Sequence, residues 1–483
     1  MMPVASSVPA RSPLARCFLS ASVCRLWIVL VASIACGCAS VKQPEVEEGA
    51  QFPPAPSFPP DHLYTLDDLV ALSIHRNASL DVARYEAESV QGLVDQVKAL
   101  WLPSVRFDLA AVAYSNDLSY KARALDLLTL NVPITGAYNI VSSLGYAQIL
   151  ATGGKRTSGL KQARMFAEIK KLDVLRQQDA VAFDVATYFH LICLTTDIDT
   201  VLEDSERRLR VYRQVAQELN RNGSLRASGL DGLQADFFVS QLEQLRVAVQ
   251  AGRRQAYGAL RHFVGVSRDE LLELKSASLP EAPTPLESFS AYGTVMAGFI
   301  GRPEAHQLEL FAAIRAEQVK FAKAAWQPNI ATVGTYVDTQ GNHHTILETI
   351  DGLIASLIID IPLYDAGRLG KLREALGLEQ ASLAFQRQFE DLITLEIEVA
   401  AIDAQKALTI VLKTARAKEI AAEYYDGVRQ AYSRELVPTS EVVMAIGLDT
   451  VAKILHSQAL YAYHDSRAKL KRVTADREAQ YGY

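Results

Sequence analysis

The body of this 483-residue chain is almost free of cysteine. Four of its five cysteines (Cys17, Cys24, Cys36 and Cys38) fall in the first forty residues, and only Cys193 lies beyond them. A disulfide framework is therefore excluded. Cys193 itself sits in the apolar stretch Phe189-His190-Leu191-Ile192-Cys193-Leu194 and reads as a small buried hydrophobe. Proline is scarce where it matters most. Nine of the eighteen prolines lie before residue 61, and none occurs between Pro133 and Pro280 or between Pro362 and Pro438. Stretches of that kind permit very long helices. With 26 glycines and 18 prolines the chain is neither collagen-like nor low-complexity. A net charge of −6 argues against a nucleic-acid partner, which demands a basic face. The five methionines give no support to a soft-metal path.

Acidic residues are missing altogether before Glu45, whereas Arg11, Arg16 and Arg25 precede the apolar run Leu26-Trp27-Ile28-Val29-Leu30-Val31-Ala32-Ser33-Ile34-Ala35. A positive region followed by about ten apolar residues is a secretory signal, too short to span a bilayer as a helix. The run ends in Ala35-Cys36-Gly37-Cys38-Ala39-Ser40, which resembles a bacterial lipoprotein processing site. Residues 1–37 are thus expected to be a lipoprotein signal peptide and Cys38 the lipidated first residue. Cys36 is the alternative position, and a plain cleaved signal the alternative reading. Residues 38–61, proline-rich and acidic, read as an extended tether.

The rest of the chain repeats itself. Asn77-Ala78-Ser79-Leu80 corresponds, 225 residues on, to Arg302-Pro303-Glu304-Ala305, and at the same offset Ala99-Leu100-Trp101-Leu102-Pro103 corresponds to Ala324-Ala325-Trp326-Gln327-Pro328. Gly153-Gly154-Lys155-Arg156 is answered by Ala366-Gly367-Arg368. The chain therefore divides into two repeats, 62–298 and 299–483, each reading helix, strand, loop, strand, very long helix, turn, long helix. Val105-Arg106-Phe107-Asp108-Leu109 alternates as a two-faced strand does; Leu353, Ala355, Leu357, Ile359 and Ile361 share one face with Ser356 and Asp360 opposite. The middle strands, near 140–150 and 329–338, alternate poorly. Strands of about ten residues suit a transmembrane barrel, with soluble hairpins as the alternative.

From Lys155 to about Asn220 one glycine and no proline interrupt the pattern, so a continuous helix there is roughly 100 Å long. Arg368 to about Arg434 gives a similar rod. Apolar seams run along both, through Leu175, Ala182, Val185, Phe189 and Ile192 on the first and Leu392, Leu395, Val399 and Ile402 on the second. A second stripe (Val174, Val181, Tyr188, Leu191) lies beside the first seam, so that helix has two neighbours, as a stave in a tube has.

Chemistry is harder to find. Gly153-Gly154-Lys155-Arg156-Thr157 lacks the upstream glycine of a phosphate loop and reads as a helix-start turn. His343-His344 reads as a solvated pair in a loop rather than a metal site. No Ser/His/Asp, Cys/His or paired-carboxylate constellation stands out, so neither an enzyme nor a bound cofactor is expected.

Several motifs resemble the TolC-type outer-membrane efflux family. Tyr64-Thr65-Leu66-Asp67-Asp68-Leu69-Val70-Ala71-Leu72 with Arg76-Asn77-Ala78-Ser79-Leu80 is similar to that family's first helix. Ile361-Pro362-Leu363-Tyr364-Asp365-Ala366-Gly367-Arg368 is similar to its strand-to-helix signature. Tyr432-Ser433-Arg434-Glu435-Leu436-Val437 with Glu441-Val442-Val443 resembles its second periplasmic turn. The resemblance covers about residues 62–480. It implies an α+β membrane protein: a homotrimer whose four strands per chain close a 12-stranded β-barrel, continued into the periplasm by an α-helical coiled-coil barrel. The implied work is passive export through the outer membrane, coupled to an inner-membrane pump by a periplasmic adaptor.

The resemblance also implies where partners and gate lie. Adaptor-contacting tips are expected at Arg221, Asn222, Gly223, Ser224 and Arg226, and at Glu435, Leu436 and Val437, where Glu435 stands in place of the family's usual glycine. TolC itself carries two aspartates one turn apart after the second tip. Here the corresponding gate positions are Glu441 and Met444, with a helix-end role for Glu441 as the alternative. A different class of protein, a lipid-anchored periplasmic coiled-coil scaffold or adaptor without a pore, would share the long helices but not a membrane-embedded sheet. The N-terminal reading is open to direct measurement: mass spectrometry of the mature protein should find a lipidated Cys38 as its first residue, and an unmodified peptide starting elsewhere would refute it.

Overall fold

The first helix, α1 (Leu66–Arg76), is fixed at its start by a reciprocal pair of hydrogen bonds. Thr65 Oγ1 accepts from the Asp68 amide at 3.3 Å, and Asp68 Oδ2 accepts from the Thr65 amide at 3.0 Å. Asn77 then ends α1 and opens α2 (Ala78–Ala99): its Oδ1 accepts from the Ser79 amide at 2.8 Å while its Nδ2 donates to the Phe263 carbonyl at 2.6 Å. The single opening helix expected from the sequence is therefore two helices hinged on one buried asparagine. In this computed structural model the described residues are 62–475, with Pro56 and Phe58, except 114–117, 125–127, 135–137, 224–228, 268–269, 271, 276–277, 282–300 and 342–351. Cys38, Ser224, Arg226 and the His343-His344 pair lie outside them.

After α2 come β1 (Ser104–Ala113), β2 (Leu118–Ala124), β3 (Leu128–Ile134) and β4 (Tyr138–Ala151), then α3 (Lys155–Arg221) and α4 (Gly229–Val264). A second series begins at α5 (Pro303–Ala324) and continues with β5 (Asn329–Gly341), β6 (Gly352–Asp360), α6 (Ala366–Ser433) and α7 (Thr439–Thr474). The molecule is mostly helical with a small antiparallel sheet in the order β1-β4-β5-β6. A separate hairpin, β2 with β3, occupies a stretch expected from the sequence to be a plain loop.

Two arginines hold the junctions between sheet and long helices. Arg156, in the first turn of α3, donates to the carbonyls of Leu100 (3.0 Å), Ile149 (2.7 Å) and Leu150 (2.6 Å), with its guanidinium 5.0 Å over the Trp101 ring. Arg368 in α6 donates to the Ala325 carbonyl and pairs with Asp365 at 3.1 Å, its guanidinium 6.0 Å from Trp326. Each Trp-x-Pro segment thus ends a helix and is clamped by the arginine that comes after the next strand pair. The turn before Arg156 leaves no room for a side chain: Gly153 has φ +58°, and a Cβ there would lie 2.0 Å from Gln327 Cβ.

Among the helices, α3 is the most thoroughly surrounded, packing on α1, α2, α4, α5 and α7. The largest core cluster unites Leu69 and Leu72 of α1, Val185 and Ile192 of α3, Leu260 of α4 and Tyr463 of α7. Cys193 is fully buried within it, and burial pushes its thiol up to about 12, so it behaves as a hydrophobe. One 67-residue helix, α3, contains a window apolar enough to cross a membrane, but 61% of that window is buried inside the fold, as a core helix requires. Charges stitch the exposed side of α3 to α4, where Arg246 reaches Asp199, Glu203 and Glu206 at 3.0, 3.2 and 3.3 Å.

The arginine clamp is testable. Arg156→Met leaves three carbonyls without their charged donor, and a loss of about 2 kcal/mol in stability is expected. The readout is the midpoint of thermal unfolding; an unchanged midpoint would show that water serves those carbonyls equally well.

Candidate functional site

Two surfaces and one turn carry the functional argument. The first surface is the sheet. Directly opposed residues of antiparallel strands point to the same side, so the register assigns the faces that alternation left uncertain. One face carries the row Phe107–Leu144–Tyr336–Leu353 and, beside it, Val105, Tyr146 and Leu109. The other carries Arg106–Gly145–Thr335–Ile354, Asp108–Ser143–Val337 and Ala147–Val333–Ser356, with Arg106 paired to Asp108 at 2.9 Å. The first side is the more apolar and aromatic, although Ser142, Gln148, Thr332 and Asp338 also lie on it; the second carries the charges of Arg106 and Asp108 together with Val333, Val337, Ile354 and Ile358. Among the described residues the more apolar side is left open: Leu109 is 66% exposed and Leu353 74%. The sheet's outer strands, β1 and β6, each pair on one side only.

The second surface lies on α6. That helix packs chiefly on α5 and α7, through Ile393, Ile397, Ala400 and Ala404. The seam read from the sequence, Leu392, Leu395, Val399 and Ile402, is on the opposite side and exposed, between 43% and 63%. An apolar stripe of that length in water calls for a partner outside the chain. By contrast, Val181, Ala182, Val185 and Ile192 of α3 are buried within the chain, as expected for a helix with neighbours on two sides.

The turn is the one joining α6 to α7. Glu435 adopts φ +66°, the left-handed conformation that glycine adopts at the other turn, where Gly223 has φ +69°. Its amide donates to the Tyr432 carbonyl at 3.0 Å and the next amide, Leu436, donates to the Ala431 carbonyl at 2.9 Å. That pairing is a Schellman closure, in which a residue with positive φ satisfies the last carbonyls of a helix. Tyr432 and Thr439 hydroxyls meet at 3.2 Å across the turn, and Thr439 is fully buried. Arg221, Asn222, Gly223, Glu435 and Leu436 are exposed at the two turns, with Val437 half-buried.

The two positions expected at the gate share a face. Glu441 and Met444 are exposed on α7, opposite the buried Val442, Val443, Ala445 and Ile446. The exposed face continues through Leu448 and Val451, and these with Met444 line a groove of about 600 Å³ between α7 and α4. Glu441 Oε2 accepts from the Tyr424 hydroxyl of α6 at 3.4 Å. Just beyond, polar residues pin α7 to α3. Asp449, 2% exposed, receives Arg208 at 3.2 Å and Lys453 at 2.6 Å; Thr450 donates to Ser205 at 2.7 Å; and Arg208 lies 5.0 Å over Tyr425. Sequence reasoning missed this network, because partners more than 200 residues apart leave no local spacing to read.

Elsewhere the titratable groups are structural. His190 is buried and stacked on His464 at 5.0 Å, and burial holds its imidazole neutral, with its pKa lowered to about 3. Among the described residues no group of three or more His, Cys, Asp or Glu side chains is placed to hold a metal ion.

No family model and no curated protein matches the sequence. Solved structures do. The chain is similar to the outer-membrane channel OprN, at 17% identity over 88% of this chain and 98% of that one, with a TM-score of 0.71. It is also similar to the outer-membrane protein VceC of Vibrio cholerae (16% identity, 85% and 95%, TM-score 0.68). A third is the MtrE outer-membrane channel of Neisseria gonorrhoeae in its open state (14% identity, 85% and 88%, TM-score 0.67). The fold is that of an outer-membrane channel. It is the fold that the resemblance to the TolC-type family led one to expect.

The strained turn yields a prediction. A residue with a Cβ in the left-handed region costs about 1 kcal/mol, so Glu435→Gly should tighten the α6–α7 turn. Slower amide exchange at Leu436 is the expected result, and Glu435→Val should accelerate it. Equal exchange in all three proteins would mean that the turn bears no such cost.

Proposed function

We propose that the chain is a lipid-anchored member of the TolC-type outer-membrane efflux family. Three copies form the passive exit duct of a tripartite efflux or type I secretion system. The observation that carries this reading is the sheet: four strands of 9 to 14 residues, richer in large apolar side chains on one side, and unpaired at both edges among the described residues. Edges cannot remain open in lipid, where no water satisfies their backbone groups. Four strands are too few to close a barrel, since about eight is the smallest closed barrel known in membranes. Three copies supply twelve, with the apolar face toward lipid and the Arg106–Asp108 face toward a water-filled lumen. The exposed stripe on α6 supports the same assembly, as the seam along which the helices of neighbouring copies meet. A scaffold without a pore has no use for a two-faced sheet exposed on its apolar side.

Internal duplication is part of the proposal, with repeats over 62–298 and 299–483. Matching helix lengths support it: 22 residues in both α2 and α5, 67 and 68 in α3 and α6, and 36 in both α4 and α7. The turns at Arg221–Gly223 and Glu435–Val437 would then lie at the periplasmic end, in reach of an adaptor bound to an inner-membrane pump. Glu441, repeated three times around the axis, would form the gate's cation-attracting ring. With Met444 one turn further along, closure would be completed by apolar contact instead of a second acidic ring.

Two measurements test this together. The purified protein should run as a heat-modifiable oligomer and fractionate with outer membrane; a protease-sensitive soluble monomer would exclude the duct. In planar bilayers, Glu441→Gln should lower cation selectivity and weaken block by divalent ions. Unchanged selectivity and block would leave Glu441 as a helix-end residue donating its charge to the first turn of α7.

A further inference from the structure

We propose that the end of the helices bordering the sheet is a docking surface for the phosphate groups of anionic phospholipids, an inference that rests on the outer-membrane reading above. Its first support is charge. Helices α1, α2, α4, α5 and α7 each carry an acidic residue in the first turn, as the helix dipole favours, whereas α3 and α6 carry none. Those two helices instead open on Lys155, Arg156 and Arg368. Across the four segments that border the sheet (95–103, 152–164, 317–328 and 361–373) basic residues outnumber acidic ones ten to three, in a chain whose net charge is −6. The excess is local, at one end of the helices.

The second support is availability. Arg156 and Arg368 are committed to backbone carbonyls. Arg164, Lys371 and Arg373 are exposed, and none forms an ion pair among the described residues. Like-charged side chains of this kind raise the local potential until an anion neutralises them.

The third support is what lies beside them. Between these charges and the sheet is a rim of large apolar side chains, of which Leu363 is 89% exposed, Tyr364 82% and Leu102 67%. Acyl chains cover such a rim; a free phosphate ion in solution cannot, and this favours a lipid as the source of the phosphate. The spacing also fits. Arg164 lies about 14 Å along α3, and Lys371 and Arg373 about 8 and 11 Å along α6, from the helix starts. Flexible basic side chains extend several ångströms back toward the membrane, into a headgroup layer about 5–8 Å deep. Arginine matches the geometry of a phosphate group with two parallel hydrogen bonds.

The test uses the full-length protein in neutral detergent, titrated with phosphatidylglycerol or phosphatidylcholine and monitored by native mass spectrometry. Phosphatidylglycerol should bind about threefold or more in preference, and the preference should shrink as salt is raised. The triple substitution Arg164→Gln, Lys371→Gln and Arg373→Gln should abolish the preference while leaving phosphatidylcholine binding as it was. Equal binding of both lipids by the unsubstituted protein, or a preference that survives the triple substitution, overturns the proposal. Inorganic phosphate that displaces phosphatidylglycerol at equal concentration would overturn the lipid source. Heat-modifiability and outer-membrane fractionation of the same variant are read in parallel. A variant that keeps both without lipid preference sinks this inference alone, whereas an unsubstituted protein lacking both sinks the duct reading beneath it.

Discussion

The sheet's edge strands carry backbone hydrogen-bonding groups that no described strand of this chain completes. β1 and β6 each offer a row of backbone donors and acceptors with no partner strand in the sheet. In water such edges are an aggregation hazard; in lipid they are untenable. The sheet's aromatic face makes water the wrong solvent, and its open edges make lipid the wrong solvent for one copy alone. In the oligomeric duct proposed above, assembly would reconcile the two. That constraint explains why the strands are short and two-faced, and why the helices leaving the sheet present apolar side chains outward.

The long helices divide the work unequally. α3 packs on five others and carries more buried side chains than any other helix, down to a buried histidine kept neutral. α6, almost the same length, buries only seven residues. The second rod leaves exposed an apolar seam of the kind that the first one buries. The polar pins between α3 and α7, Arg208–Asp449 and Ser205–Thr450, fit the same division. They add a few specific bonds to the apolar contact that Val442, Val443, Ile446 and Tyr463 of α7 make with the enclosed half, and one oxygen of Asp449 is left buried without a partner. Buried polar groups of that sort specify position more than they add stability.

Much of this is legible in the sequence alone. Missing prolines outline both long helices to within a few residues, and strand alternation places β1 and β6, because each depends only on neighbours in the chain. Trp101 and Trp326 mark the junctions, though not the arginines that clamp them, since Arg156 and Arg368 reach carbonyls of segments far upstream. The hinge at Asn77 is not legible because its second partner, the Phe263 carbonyl, is 186 residues away. The seam Leu392–Ile402 reads as apolar, but spacing alone does not say whether a stripe faces its own chain or another. The β2–β3 hairpin, by contrast, is legible: Leu118–Ala124 and Leu128–Ile134 both alternate apolar with polar residues, a pattern that the expectation of a plain loop between two strands passes over.

The two turns show how far local rules can be bent when the surroundings are strong. Gly223 and Glu435 have nearly the same φ, yet only one of them is a residue for which that conformation is free. The difference lies in the helix that each turn opens. After Glu435, Thr439, Val442 and Val443 are fully buried, and the Tyr432–Thr439 contact closes the loop, so the path of the chain is over-determined. After Gly223, α4 opens with Leu230 and Leu233 exposed, at 72% and 65%, while Asp231, Gly232 and Ala235 are buried. Glycine adopts the left-handed conformation there at no steric cost. A strained residue persists where tertiary packing exceeds its cost of about 1 kcal/mol, and the buried Thr439, Val442 and Val443 supply that packing after Glu435.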